Sequence, residues 1–156
     1  VYDSFFGFTA QDFHEYSEPG FGFIIPYHHD DVELDAYIYD SDIEPFPDFI
    51  TDAIALDHFD QVIAAVFDGE RQGIYRDVEL VSQFYLNDNM DRVDWVCARF
   101  NLRFSNWEST GNSISCIAIS GWNFLKIRMS SETLSDQEFD NLALRVASIF
   151  ARSAGL

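Results

Sequence analysis

Apolar and polar side chains alternate along much of the chain, and this period of two predicts β-strands. Strands are predicted over residues 21–27, 32–39, 75–86, 94–104, 113–120 and 122–129. Residues 113–120 are apolar on both faces, so we place that strand at the centre of the sheet. The turns between consecutive strands are short, which favours antiparallel pairing. Residues 1–16 carry clustered aromatic side chains and are interpreted as an irregular or short-strand lead-in.

Two segments follow a helical period instead. Apolar residues at positions 56, 59, 63, 66 and 67 predict a helix over about 51–68, with Gly69 placed to stop it. Ser135 and Glu138 have the spacing of a capping box at the start of a second helix, over about 136–153. The order of elements predicts a single α+β domain over residues 1–156, with one mainly antiparallel β-sheet and two principal helices.

The chain is strongly acidic for a folded protein. It has 27 Asp and Glu against 9 Lys and Arg, a formal net charge of −18 in 156 residues, and Lys126 is its single lysine. Aromatic residues make up 17% of the chain. This is too many for a disordered acidic tail, so the charge belongs to a folded surface. Such a surface repels nucleic acid and anionic membranes. Adaptation to high salt, a basic partner and ordinary solubility of a secreted protein are three competing explanations.

The chain has no long apolar run, and it contains two cysteines. No run approaches the ~20 apolar residues that span a bilayer, so we expect no integral membrane segment. The chain begins with Val1 rather than Met, which indicates a processed form or a chain that lacks its signal peptide, and no targeting segment is visible in it. Cys97 and Cys116 lie in neighbouring predicted strands, equidistant from a turn near residues 106–107. A cross-strand disulfide is geometrically allowed if that register holds, and two buried thiols are the alternative.

The densest cluster of metal-ligand side chains is His28, His29, Asp30 and Asp31. Imidazole and carboxylate groups suit zinc or another transition metal. Adjacent residues of an extended chain point in opposite directions, however, so a metal site needs further ligands from elsewhere. We therefore favour a solvated hairpin turn here, and we expect no cofactor.

Two acidic loops, at residues 40–44 and 87–91, place oxygen ligands at alternate positions. An EF-hand loop also needs a glycine at its sixth position and a glutamate at its twelfth, and neither loop has them. We interpret both loops as solvated acidic turns.

Positive charges concentrate on two predicted strands, at positions expected to face outward from the sheet. The predicted binding surface consists of Arg99, Arg103, Lys126 and Arg128, with Tyr37, Tyr39 and Trp95 beside them. Such a surface could hold a small anionic or planar ligand, or the acidic segment of a partner protein. The alternative is that these cations pair with acidic residues of neighbouring strands, such as Glu33 and Asp35.

Three short stretches resemble a group of uncharacterised bacterial exported proteins. They are EPGFGF at residues 18–23, YIYD at 37–40 and SGWNFLKIR at 120–128. In that group similar segments open the mature domain and form a late strand before a C-terminal helix. The resemblance implies export, to the periplasm or as a secreted protein. It also implies a compact α+β domain, such as the Mog1/PsbP type of sheet flanked by helices. It implies no activity.

The sequence contains no nucleophile-elbow motif, zinc-protease motif or phosphate-binding loop, and we assign no catalytic residue. We favour an exported, non-enzymatic binding or accessory domain that uses the outward face of its sheet as a contact surface. One alternative is an acidic immunity-type inhibitor of a basic toxin, which would associate with a cationic protein in a salt-sensitive way. Another is a metal-dependent enzyme that uses His28 and His29.

Overall fold

A single antiparallel sheet organises the chain. The structure, a computed structural model, describes residues 3–87 and 94–153, and within them nine strands and two helices occur. The elements are β1 (Ser4–Phe5), β2 (Phe8–Ala10), β3 (His14–Glu15), β4 (Phe23–His29), β5 (Val32–Tyr39), α1 (Ala53–Arg71), β6 (Tyr75–Leu86), β7 (Trp95–Phe104), β8 (Gly111–Ser120), β9 (Asn123–Ser131) and α2 (Asp136–Ser153). The strand order is β1-β2-β4-β5-β9-β8-β7-β6, and β3 pairs with β4. The predicted fold class is confirmed.

Each face of the sheet is covered by one helix, and this produces two apolar cores. Along β7, Trp95 and Cys97 lie in the core beneath α2, whereas Val96 and Ala98 lie in the core beneath α1. Strands β7 and β8 are therefore buried on both faces, as the two-sided apolar pattern of residues 113–120 indicated. The expectation of an outward-facing side of β7 is wrong at Trp95 and Arg99, because α2 packs over it.

Helix α1 packs on β6 to β8 through an apolar stripe that includes Phe59, Val62 and Val66. The helix continues three residues beyond the predicted end and includes Gly69. A Cβ atom at position 69 would lie 2.4 Å from the ring of Tyr75. The prediction that Gly69 stops the helix is therefore wrong, since this glycine allows the helix to approach β6 closely.

Helix α2 begins as its capping sequence predicts. The hydroxyl of Ser135 accepts a hydrogen bond from the backbone N–H of Glu138 at 3.2 Å. The connection that precedes the helix is held by Asp31, whose carboxylate accepts hydrogen bonds from the Ser131 hydroxyl and the Thr133 N–H, each at 3.0 Å. Burial opposes ionisation of Asp31, but these hydrogen bonds outweigh it and lower the pKa of the carboxyl.

A disulfide joins β7 to β8. Cys97 and Cys116 are direct partners in the strand register, with their Cα atoms 4.1 Å apart, and both are buried beneath α2. The bridge that the spacing allowed is thus present. In the part of the chain that the structure describes, neither helix has a stretch long and apolar enough to cross a membrane.

Candidate functional site

A cavity of about 570 Å³ opens between α1 and the half of the sheet formed by β5 and β9. Its volume lies in the usual range of small-molecule sites. The lining side chains are mainly aromatic or apolar, with a few polar groups among them. They belong to Tyr16, Pro19, Phe21, Tyr37, Tyr39, Ser41, His58, Gln61, Val62, Ala65 and Lys126.

The floor of the cavity is formed by two neighbouring strands. Tyr37 on β5 is the direct partner of Lys126 on β9, so both side chains project from the same face of the sheet. The ammonium of Lys126 lies 4.4 Å from the centroid of the Tyr37 ring, a cation–π contact. Tyr39, two residues further along β5, projects from the same face. The structure thus brings together three of the residues that the sequence placed on one binding surface.

The wall of the cavity is α1, and His58 is its polar contribution. The Nε2 atom of His58 lies 2.8 Å from the hydroxyl of Tyr39, and the imidazole stacks on Phe124 with the ring centroids 4.4 Å apart. His58 is 6% exposed, and its Nδ1 atom has no hydrogen-bond partner among the described residues. Burial and the nearby Lys126 lower the pKa of His58, so this imidazole is neutral at physiological pH.

The rim of the cavity depends on two glycines in the loop before β4. Gly22 has φ +62°, and a Cβ atom there would lie 1.9 Å from the carbonyl oxygen of Ile38. Gly20 has φ +83°, and its carbonyl accepts a hydrogen bond from Ser41 N–H at 2.9 Å. Only glycine fits both the backbone conformation and the close approach. The loop therefore lies against the end of β5 and carries Phe21 to the mouth of the cavity.

The electrostatics of the cavity combine one cation with neutral aromatic groups. Burial, and then the neighbouring Arg128, lower the pKa of Lys126 from 10.5 to about 8. Burial raises the pKa of Tyr37 from 10.0 to about 12, although Arg128 opposes that effect. The pKa of Tyr39 is also raised by burial. At neutral pH the phenols are protonated and the ammonium of Lys126 supplies the charge of the floor.

Arg128 lies on the same face but is occupied by protein groups. Its guanidinium donates to the hydroxyl of Tyr75 at 2.7 Å and to the carboxylate of Asp35 at 3.0 Å. Asp35 is also its direct partner in the register of β5 and β9. The cross-strand pairing that was the alternative for these cations therefore holds at Arg128.

The other predicted site residues lie away from the cavity. Arg99 is 7% exposed beneath α2 on the opposite face, where its Nε donates to Asp140 at 2.7 Å. Trp95 is 2% exposed in the same core. Arg103 donates to the backbone carbonyl of Trp107 at 3.0 Å. The seven predicted residues therefore do not form one surface. The prediction put alternate positions of β7 and of β9 on a common face without knowledge of the register that relates the two strands.

The predicted metal-ligand cluster is dispersed around the β4–β5 turn. His29 lies 3.6 Å from Asp30, Asp31 is bound to the start of the α2 connection, and His28 is exposed. In residues 3–87 and 94–153 no three His, Cys, Asp or Glu side chains form a group that could hold a metal ion. Of the two acidic loops, residues 40–44 include a type of Asx turn, with Asp42 N–H donating to Asp40 at 2.8 Å. Most of the loop at residues 87–91 lies outside the described residues.

His58 and the rim loop are the parts of the site that sequence analysis missed. A signal for His58 was present, since positions 58, 62 and 65 share one face of α1. That face is apolar, and an imidazole within it indicates a polar contact across the core. The contribution of Phe21 required knowledge of the rim geometry, which the alternating pattern of residues 21–27 concealed.

The antiparallel sheet, with one helix on each face, places this chain in the α+β class, and a cavity lies beneath one of the two helices. The fold is similar to that of cyanobacterial PsbP (CyanoP) from Synechocystis sp. PCC 6803, whose structure was determined in solution. The two structures align with a TM-score of 0.57 at 14% identity, over 95% of this chain and 81% of the other. At this identity the likeness shows the fold alone, and it confirms the predicted PsbP type of sheet. A scan against protein-family models finds no match, and neither does a search of curated proteins.

Proposed function

We propose that this chain is a non-enzymatic binding domain that holds a small molecule in the cavity between α1, β5 and β9. The observation that carries the proposal is the cavity itself: about 570 Å³, walled by aromatic side chains, with one cation in its floor. Ligand sites combine an apolar lining with a few polar groups that fix orientation, and this cavity has that composition.

The direction of the polar groups supports binding. Lys126 and Tyr37 project from the sheet, while His58 projects from α1 towards Tyr39. Polar groups from two separate elements therefore converge on one apolar space. The contact surface that we propose is therefore smaller than the one predicted from the sequence. It is the sheet face beneath α1, and it does not include Arg99, which lies beneath α2.

The proposal is tested with the neutral fluorescent probe N-phenylnaphthylamine, whose emission rises in apolar surroundings. Ala65→Trp places an indole in the cavity, whereas Ala64→Trp places the same group on an exposed position of α1 outside it. We expect the probe to bind the parent protein and Ala64→Trp equally, and Ala65→Trp roughly tenfold more weakly or worse, a change of ~1.4 kcal/mol. Equal binding by both variants, or no binding by the parent protein, would refute the proposal.

We further propose that the chain works in an exported, oxidising location, periplasmic or extracellular. Support comes from the buried Cys97–Cys116 bridge, because disulfides persist in oxidising compartments and are rare in the cytosol. Thiol titration of protein taken from its native host, denatured under acid quench, tests this. Two free thiols per chain would count against export, and none would support it.

The alternative of an acidic inhibitor of a basic toxin stays a prediction. One surface feature is compatible with it: Trp122 is 79% exposed beside a hollow lined by Asp40, Asp42 and Glu44. Exposed tryptophan is enriched at the centres of interfaces. This candidate requires tight association with a cationic protein that weakens as salt is added, and that fails in Trp122→Ser.

A further inference from the structure

We infer that the ligand of this cavity is a planar aromatic monoanion, with its anionic group on the ammonium of Lys126. The inference rests on the proposed function, since it names the class of molecule for the same cavity. Three features of the cavity support this class of ligand: the placement of the single lysine, the neutrality of the groups around it and the aromatic character of the walls.

The single lysine of an acidic chain forms no ion pair in the described part of the protein, although the charge of Asp35 on the neighbouring strand acts on it. Of the carboxylates in the described residues, none lies within ion-pair distance of Lys126, and Asp35 on the neighbouring strand pairs with Arg128 instead. Leaving a half-buried ammonium without a counter-ion is costly, because the cation–π contact with Tyr37 offsets only part of its desolvation. The chain has 27 acidic residues, yet none in its described part pairs with this ammonium. The site therefore suits a ligand that brings the negative charge itself.

The remaining groups set the charge of the ligand at one. Groups that face Lys126 from every packed element are Tyr37, Asp35 and Tyr39 on β5, Arg128 on β9, His58 on α1 and Tyr16 in the rim loop. The phenols of Tyr37 and Tyr39 and the imidazole of His58 are neutral at pH 7. Arg128 and Asp35 neutralise each other. One uncompensated positive charge matches one negative charge.

The walls favour a flat ring system over a flexible chain. Tyr16, Phe21, Tyr37 and Tyr39 present aromatic surface from the rim loop and from the floor. Aromatic rings gain from stacked or edge-on contacts beyond the area that they bury, and a rigid ligand loses less conformational entropy on binding. The hydroxyl of Tyr39 and the imidazole of His58 lie at the same cavity and can orient a polar substituent of that ring system.

The test compares naphthoate with naphthylmethanol, which replaces the carboxylate by a neutral hydroxymethyl group. Both displace N-phenylnaphthylamine, so their affinities are measured in one assay. We expect naphthoate to bind roughly tenfold tighter or more, a difference of ~1.4 kcal/mol. Lys126→Met should abolish this preference while it retains the probe and the alcohol, and Lys126→Arg should restore it. Decanoate, a flexible monoanion, should compete roughly tenfold less well than naphthoate.

The pH dependence gives an independent measurement. Because only the protonated amine attracts the carboxylate, the affinity for naphthoate should fall as pH rises through about 8, the pKa of Lys126, and the affinity for naphthylmethanol should not. Equal affinities of acid and alcohol in the parent protein would overturn the anion, and equal affinities of decanoate and naphthoate would overturn the planar ring. Both results leave the cavity as a binding site, since the probe and Ala65→Trp test that separately.

Discussion

Lys126→Met should stabilise the protein, and by an amount that depends on pH. The fall in the pKa of Lys126 from 10.5 to about 8 corresponds to ~3 kcal/mol of unfavourable free energy for the charged form in the folded state. The side chain retains some contact with solvent, which reduces this value. Methionine also loses the cation–π contact with Tyr37, worth ~1 kcal/mol. We therefore expect a net gain of about 1–2 kcal/mol at pH 7.

The pH profile separates this electrostatic effect from simple repacking. Between about pH 8 and 10.5 the unfolded chain holds the lysine proton and the folded chain does not, so the parent protein gains stability as pH rises through this range. The advantage of Lys126→Met should be constant below pH 8 and should shrink steadily above it. Loss of stability from ionisation of Tyr37, above pH 10, affects both proteins alike.

The assay is urea unfolding of both proteins at intervals from pH 6.5 to 10.5, with equal slopes against urea as the control for two-state behaviour. A stability difference that does not vary with pH would refute the reasoning, because a packing effect has no reason to follow the titration of the amine. A destabilised variant at pH 7 would refute it as well.

Three further predictions concern the rest of the domain. Replacing both Cys97 and Cys116 by alanine should destabilise the chain by about 2–4 kcal/mol, and an unchanged melting temperature in reductant would contradict this. In the parent protein stability should fall as pH drops below 6.5, because the unfolded chain protonates His58 more readily than the folded chain. His58→Phe should reduce that slope below pH 6.5 in urea titrations, and an unchanged slope would refute the assignment. Asp140→Asn removes the negative charge beside the buried guanidinium of Arg99 and should lower the free energy of unfolding by about 1–2 kcal/mol in the same assay. A change within error would show that Arg99 is compensated without Asp140.

The sequence predicted the elements of this fold well because their periods are distinct. The strand over 75–86 and the helix from residue 136 have the same bounds in the structure as in the prediction. Errors at other boundaries arose from tertiary contacts. Gly69, for example, is a residue type that commonly ends helices, but here it lies within α1 and allows close packing against Tyr75. No local sequence pattern reveals that contact.

The candidate site was predictable only in part, for a related reason. Alternation along a strand identifies two faces but does not indicate which face of one strand joins which face of another. Lys126 and Tyr37 share a face because β9 pairs with β5 in a particular register, and Arg99 lies on the opposite face by the same register. The prediction put Lys126, Tyr37 and Arg99 on one surface because the alternating pattern does not contain that register. The predicted contact surface was also assigned to an outward face of the strands, whereas α2 covers that face at Arg99.

The position of β9 has a consequence for the order of folding. This strand comes last in the sequence of strands but lies in the sheet between β5 and β8, so it joins a hairpin made early in the chain to a meander made late. The β4–β5 hairpin and the short strands β1, β2 and β3 beside it cannot complete their apolar core until β9 and α2 arrive. Because long-range pairings of this kind slow folding, an N-terminal half that leaves the ribosome first would remain open until the residues near 131 follow. The cavity beneath α1, whose floor needs both β5 and β9, therefore forms only when the chain has folded almost to its end.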